Sequence, residues 1–180
     1  MNLQKIYDKL YRLPCWNAHQ SGYGSCLTFE FGVPHLKIRE QIPGKTHPQL
    51  GFKREVWLRG DWHLWINCCD WVVFLNGKDI ANSNSKDVRI QIAMARLNGQ
   101  ALVKIVIDPK TGDSTFIFDQ GGTIQTKRWK GKTLWEQWHL SKPSGYILTV
   151  RSDGKYSYMP GRTKPKHLKW IKIQGNRTRV

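Results

Sequence analysis

No stretch of this 180-residue chain approaches the ~20 consecutive apolar residues that a membrane-spanning helix needs. The opening Met1-Asn2-Leu3-Gln4-Lys5 also lacks the apolar core of a secretory signal, so the sequence points to the cytoplasm. Cysteine is sparse. Cys15, Cys26, Cys68 and Cys69 come from three separate segments without the paired C-x2-C knuckles of a zinc ribbon. Cys68 and Cys69 are adjacent and on a strand would face opposite ways, which argues against two disulfides. Reduced, buried thiols and no metal are expected. A glycine-rich phosphate loop is missing too, since Gly121-Gly122 reads as a bulge or turn. No helix-turn-helix, zinc-finger, RRM or KH signature is present, which removes the usual grounds for sequence-specific base reading and for telling DNA from RNA.

Acid is the other scarcity, and it is unevenly placed. Residues 1–119 carry 15 Lys/Arg and 11 Asp/Glu, whereas residues 120–180 carry 14 and 2, with no acid after Asp153. Most of the formal charge of +16 therefore belongs to the last third. Such asymmetry is the electrostatic footprint of a surface that meets phosphate. Nine Trp and 39% hydrophobic residues supply a core, and the length suits one domain.

The apolar periodicity predicts a short helix over Asn2–Arg12, with Leu3, Ile6, Tyr7 and Leu10 on one stripe and Pro14 as its end. Ser25–Val33 alternates as a half-buried strand. Leu36–Ile42 reads as a further strand and Pro43–Lys53 as an exposed loop. Val56–Asn67 and Trp71–Leu75 are strand-like, and Asn76-Gly77 marks a hairpin. Of Trp57, Trp62, Trp65 and Trp71, most are expected in the core, although Trp62 and Trp65 must face opposite ways on one strand. A second helix is capped by Asn84 or Ser85, carries Asp87 in its first turn and stops at Gly99. Its core stripe is read as Val88, Ile92 and Ala95, with Leu97 in support. Strands follow at Ala101–Ile107, Ser114–Phe118, Thr123–Arg128, Leu134–Leu140, Tyr146–Val150 and Lys155–Tyr158, with a tight turn at Ser152-Asp153-Gly154. Short connections imply antiparallel pairing. The expected fold is α+β: a curled, barrel-like antiparallel sheet with two helices on one face, over residues 1–160. Residues 161–180 form a basic C-terminal tail, or an edge strand through Leu168, Trp170 and Ile171.

The run Leu27-Thr28-Phe29-Glu30-Phe31-Gly32-Val33-Pro34 and the block from Trp62 to Trp71 resemble a group of small bacterial proteins of unassigned function. Leu97-Asn98-Gly99-Gln100, Phe118-Asp119-Gln120-Gly121-Gly122 and Glu136-Gln137-Trp138 share the resemblance, which spans roughly residues 3–160. It implies a common scaffold and carries no catalytic residue across. Members of the group are usually near-neutral or acidic, so the basic second half is this chain's own adaptation.

Two sets of cations stand out. Lys127, Arg128, Lys130 and Lys132 surround Trp129, and Arg162, Lys164, Lys166, Lys169, Lys172, Arg177 and Arg179 follow, with Trp170 among them. Cations spread along one surface neutralise phosphates and release counterions, and Trp129 and Trp170 offer rings for stacking on unpaired bases. Catalytic constellations are thin by comparison. Cys15 and His19 lack a third orienting group, Asp61-x-His63 is a common pattern, and Asp108, Asp113 and Asp119 are equally turn residues. The sequence is read as a non-enzymatic nucleic-acid-binding accessory protein without cofactor, working inside a larger bacterial DNA- or RNA-handling or defence complex. The alternative is a protein-interaction module, an immunity-type inhibitor or subunit, that meets an acidic partner. A Trp face or the Leu168–Ile173 edge offers a route to a homodimer.

Overall fold

The computed structural model describes residues 3–21, 26–40 and 54–174. Along the chain run α1 (Gln4–Tyr7), β1 (Cys15–Gln20), β2 (Leu27–Phe31), β3 (His35–Arg39), β4 (Glu55–Arg59), β5 (Trp62–Ile66), β6 (Cys69–Leu75), β7 (Lys78–Asn82) and α2 (Asp87–Leu97). They are followed by β8 (Leu102–Ile107), β9 (Ser114–Phe118), β10 (Gly122–Arg128), β11 (Glu136–Ser141), β12 (Tyr146–Arg151), β13 (Lys155–Pro160) and β14 (Ile171–Lys172). The antiparallel strands assemble into a seven-stranded sheet (β1-β2-β5-β11-β12-β13-β14), a five-stranded sheet (β7-β6-β10-β9-β8) and the two-stranded β3–β4 arm.

The expected curled sheet with helices on one face is overturned. The fold is mostly β, half strand and 14% helical, and none of its sheets is closed or curled. The two large sheets pack face to face. Period-two alternation makes this possible: Trp62, Leu64 and Ile66 of β5 point inward from one sheet, and Trp71 and Val73 of β6 from the other. Between them Phe116 meets Trp138 edge-on at 5.4 Å, and Phe29 lies 6.3 Å from Phe118. Trp138 Nε1 donates to Ser114 Oγ across the same interface at 2.8 Å.

Both helices depart from the expectation, the first in length and the second in its buried face. α1 is a single turn that continues as a 3-10 turn over Asp8–Leu10. Its Ile6, Tyr7 and Leu10 are buried as the stripe required. In α2 the buried set is Ile90, Ala93, Met94 and Leu97, while Val88 and Ile92 are 61% and 58% exposed. Both stripes have helical spacing, and the one that packs is the one facing the outer strands β1 and β7. Among the described residues no side chain caps the α2 N-terminus, although Gly99 does stop the helix with φ +93°.

The segment after β13 turns at Pro160–Thr163 and runs back along the sheet edge. Tyr156 pairs with Ile171 and Lys155 with Lys172, and the Ile173 N–H donates to the Gly154 carbonyl at 2.9 Å. Ile173 is only 8% exposed, so residues 161–174 are attached to the sheet rather than loose. Of the predicted tail cations, Arg177 and Arg179 lie outside the described residues, as does the whole of the predicted Pro43–Lys53 loop. Among the described residues no helix is long and apolar enough to cross a membrane.

Candidate functional site

One end of the paired sheets gathers four connections. The chain crosses from β5 to β6 there, with Cys68 at φ +44°, and crosses back from β10 to β11 through residues 129–135. The β8–β9 and β12–β13 turns meet at the same place. Gly154, at φ +69°, lies against the Pro109 carbonyl, where a Cβ would collide with backbone, so no larger residue fits this turn.

This end places the first cation set. Lys127 and Arg128 finish β10; the Arg128 N–H donates to Asp113 Oδ1 at 2.7 Å and its guanidinium to the Ser152 carbonyl at 3.3 Å. Ser152 also holds Trp135 by two bonds, Trp135 N–H to Ser152 Oγ and Ser152 N–H to the Trp135 carbonyl. Trp129 Nε1 donates to Asp70 Oδ1 at 3.1 Å, and its ring meets Trp135 edge-on at 5.4 Å. The predicted strand from Leu134 thus starts two residues later, leaving Leu134 and Trp135 exposed in the loop. Trp135 was missed because alternation carried it into β11. Its signal was its position just after a run of lysines.

The second set continues from this end. β14 lies beside β13, and Trp170 stacks on the Arg151 guanidinium at 4.0 Å, so one face of that ring is occupied. Arg151 is also held by Asp153 through two bonds of 3.0 and 2.9 Å. These bonds, with Lys155 adding its charge, pull the Asp153 carboxyl below its ordinary range. Lys172, Lys169, Lys166, Lys164 and Arg162 then follow the returning segment toward the Pro160 end of the sheet.

The nine described candidates, Lys127, Arg128, Lys130, Lys132, Arg162, Lys164, Lys166, Lys169 and Lys172, are all exposed. None forms an ion pair among the described residues. The nearby carboxylates are engaged elsewhere: Asp70 by the Trp129 indole, Asp108 by backbone N–H groups, Asp113 by the Arg128 N–H and Asp153 by Arg151 and Lys155. Lys127 sits opposite Asp70 in register without pairing to it. Lys110, in the β8–β9 turn, adds an exposed cation that the sequence reading passed over.

The catalytic candidates separate. Cys15 points into the core with its thiol on the Leu97 carbonyl, and burial pushes its pKa up to about 11, so it is no thiolate; His19 bonds the Asn17 carbonyl and Thr28 instead. Asp61 binds His35 at 2.7 Å, and that bond lowers its pKa, whereas His63 binds Glu30. Asp108 and Asp113 flank one end of β9, but Asp119 is at the other, accepting from the Ala101 N–H. Cys69 is buried with its pKa raised by that burial. Among the described residues no three of His, Cys, Asp and Glu are placed to hold a metal.

A polar row on the outer face of the seven-stranded sheet was also unread. Buried Glu30 accepts from the Gly60 N–H and His63 Nδ1, each at 2.8 Å, with Arg59 at 3.4 Å. Register then lines up Thr28, Trp65, His139, Thr149 and Ser157. Among the described residues, Trp65 Nε1 and Ser157 Oγ in that row are buried without partners, which is a destabilising feature. Burial, reinforced by nearby His63, holds the His139 pKa down to about 4. The unfolded chain takes up a proton near pH 6.5, so stability falls as pH drops from 6.5 to 4, by up to about 3 kcal/mol. In His139→Gln the urea-unfolding free energy should vary less with pH across that window. Parallel profiles for the two proteins would assign the effect to another group.

No family model matches the chain, and no curated protein or solved structure matches it.

Proposed function

We propose that this chain is a non-enzymatic nucleic-acid-binding accessory protein that grips the phosphate backbone along the strip from Lys127 to Lys172. One observation carries the reading: nine described cations are exposed and free of carboxylates, while the neighbouring acids are engaged by other groups. Solvated, unpaired cations release the counterions of phosphate without first breaking internal ion pairs. The rigid platform of two packed sheets limits the conformational loss on binding. Such a subunit adds affinity to a larger bacterial DNA- or RNA-handling or defence assembly through positive surface and avidity.

A salt titration with a 20-base-pair duplex tests it. If about six cations meet phosphates, log K falls against log salt with a slope near −5. Absence of binding at about 50 mM salt, or binding indifferent to salt, overturns the proposal.

A second reading, a protein-interaction module, draws on the β3–β4 arm. Leu36 pairs with Leu58 and Ile38 with Val56, so one face of the arm is aliphatic. All four are 52–62% exposed. Such a face is the kind that partners cover. The change Leu36→Thr with Leu58→Thr should alter unfolding stability by less than about 1 kcal/mol. A loss of several kcal/mol would show that the face packs within this chain.

A further inference from the structure

We infer that the Trp129–Trp135 pair makes this surface selective for single-stranded nucleic acid, an inference that rests on the polyanion reading above. Two large rings are exposed side by side, 37% for Trp129 and 38% for Trp135, in a loop that carries Lys130 and Lys132 and follows Lys127 and Arg128 at the end of β10; none of these four cations forms an ion pair among the described residues. Both residues are anchored, one by its indole and the other by its backbone. The indole N–H of Trp129 is fixed on Asp70, and the backbone of Trp135 is fixed twice on Ser152. Their edge-on contact, at an interplanar angle of 78°, leaves ring surface open rather than stacking each on the other. A core role is excluded by exposure, and a purely solubilising role does not call for two neighbouring indoles on anchored residues.

Unpaired bases supply what this geometry takes. In a duplex each base face is covered by its neighbours, so the rings would meet only sugar and phosphate there. A single strand presents bare base faces at the spacing of its phosphates, and stacking on an aromatic ring strengthens binding about 5- to 100-fold per base. Lys127, Arg128, Lys130 and Lys132 then hold the phosphates on either side of the stacked base. Every base has such a face, so stacking here discriminates strandedness and not sequence. Trp170 contributes less, since Arg151 already occupies one of its faces.

Fluorescence anisotropy with labelled dT12, rU12 and a 12-base-pair duplex at one salt concentration tests the inference. Both single strands should bind at least about 10-fold more tightly than the duplex, and quench tryptophan emission. Trp135→Leu keeps apolar bulk in the loop and removes the ring. It should lower single-strand affinity about 5- to 100-fold, leave duplex affinity within about 2-fold, and leave the salt slope unchanged. Trp129→Phe, which keeps a smaller ring, should fall between the two proteins. A purely structural role would weaken single-strand and duplex binding together. Equal or tighter duplex binding, or unchanged single-strand affinity in Trp135→Leu, overturns the selectivity and leaves the phosphate-binding proposal standing. Binding to none of the three polymers overturns both and favours a protein partner.

Discussion

Replacing Lys127, Arg128, Lys130 and Lys132 together by Gln should weaken nucleic-acid binding about 100- to 1,000-fold near 0.15 M salt. The same variant should have a log–log salt slope shallower by about 3 to 4, since each lost phosphate contact removes close to one unit for a duplex and somewhat less for a single strand. The four side chains are exposed, and among the described residues the only side-chain bond lost is the one from Arg128 to the Ser152 carbonyl, so the fold should survive. A matched control separates a defined strip from diffuse attraction. Lys5, Lys9, Lys78 and Lys86 are equally exposed and lie outside the strip. Changing those four to Gln removes the same charge and should cost less than about 10-fold at the same salt. An equal loss from both sets would mean that net charge alone drives binding. Substitution is also the right probe for the following segment, because truncation after Pro160 would strip Ile173 and Trp170 from the sheet edge.

Trp138→Ala should destabilise the chain by about 3–5 kcal/mol, a large share of the 5–15 kcal/mol typical of a domain. Trp138 is fully buried between the two sheets, with Phe116 against its ring and Ser114 Oγ accepting from its indole N–H. Alanine leaves a cavity the size of an indole and removes the hydrogen-bond donor in the core. Trp135, three residues earlier, is 38% exposed. Its replacement by Leu should change the urea-unfolding free energy by less than about 1 kcal/mol. The pair of measurements tests the face-to-face packing directly, for a comparable loss at both sites would mean that Trp138 is not at its centre.

The strands of this protein were more legible than their arrangement. Leu27, Phe29 and Phe31 alternate in the sequence and do face inward, Asn76-Gly77 does connect β6 to β7, and Trp62 and Trp65 do face opposite ways. Periodicity states which face a residue takes, but not which strand will lie beside it. β5 pairs with β2 and β11, partners over thirty and seventy residues away, and nothing local encodes that choice. Hence one curled sheet was expected where two stacked sheets stand. The α2 stripe failed for a related reason: two apolar stripes of equal spacing exist on that helix, and only its tertiary neighbours select one. At the candidate site, the cations were readable as composition, whereas Trp135 and the Glu30–His63 contact were not. Those depend on a loop boundary and on side chains brought together from β2 and β5.

The two-residue strand β14 covers the Lys155–Tyr156 end of β13, which would otherwise offer its backbone groups to any passing chain. Its outer side carries Lys172, with Lys169 close by in the sequence, and like charges repel when two such edges approach. The lysines proposed to meet phosphate therefore also keep copies of this protein from zipping together strand to strand. Neutralised by a bound polyanion, or replaced in a charge-free variant, that edge loses its protection, and concentrated samples should turn turbid sooner than the wild type.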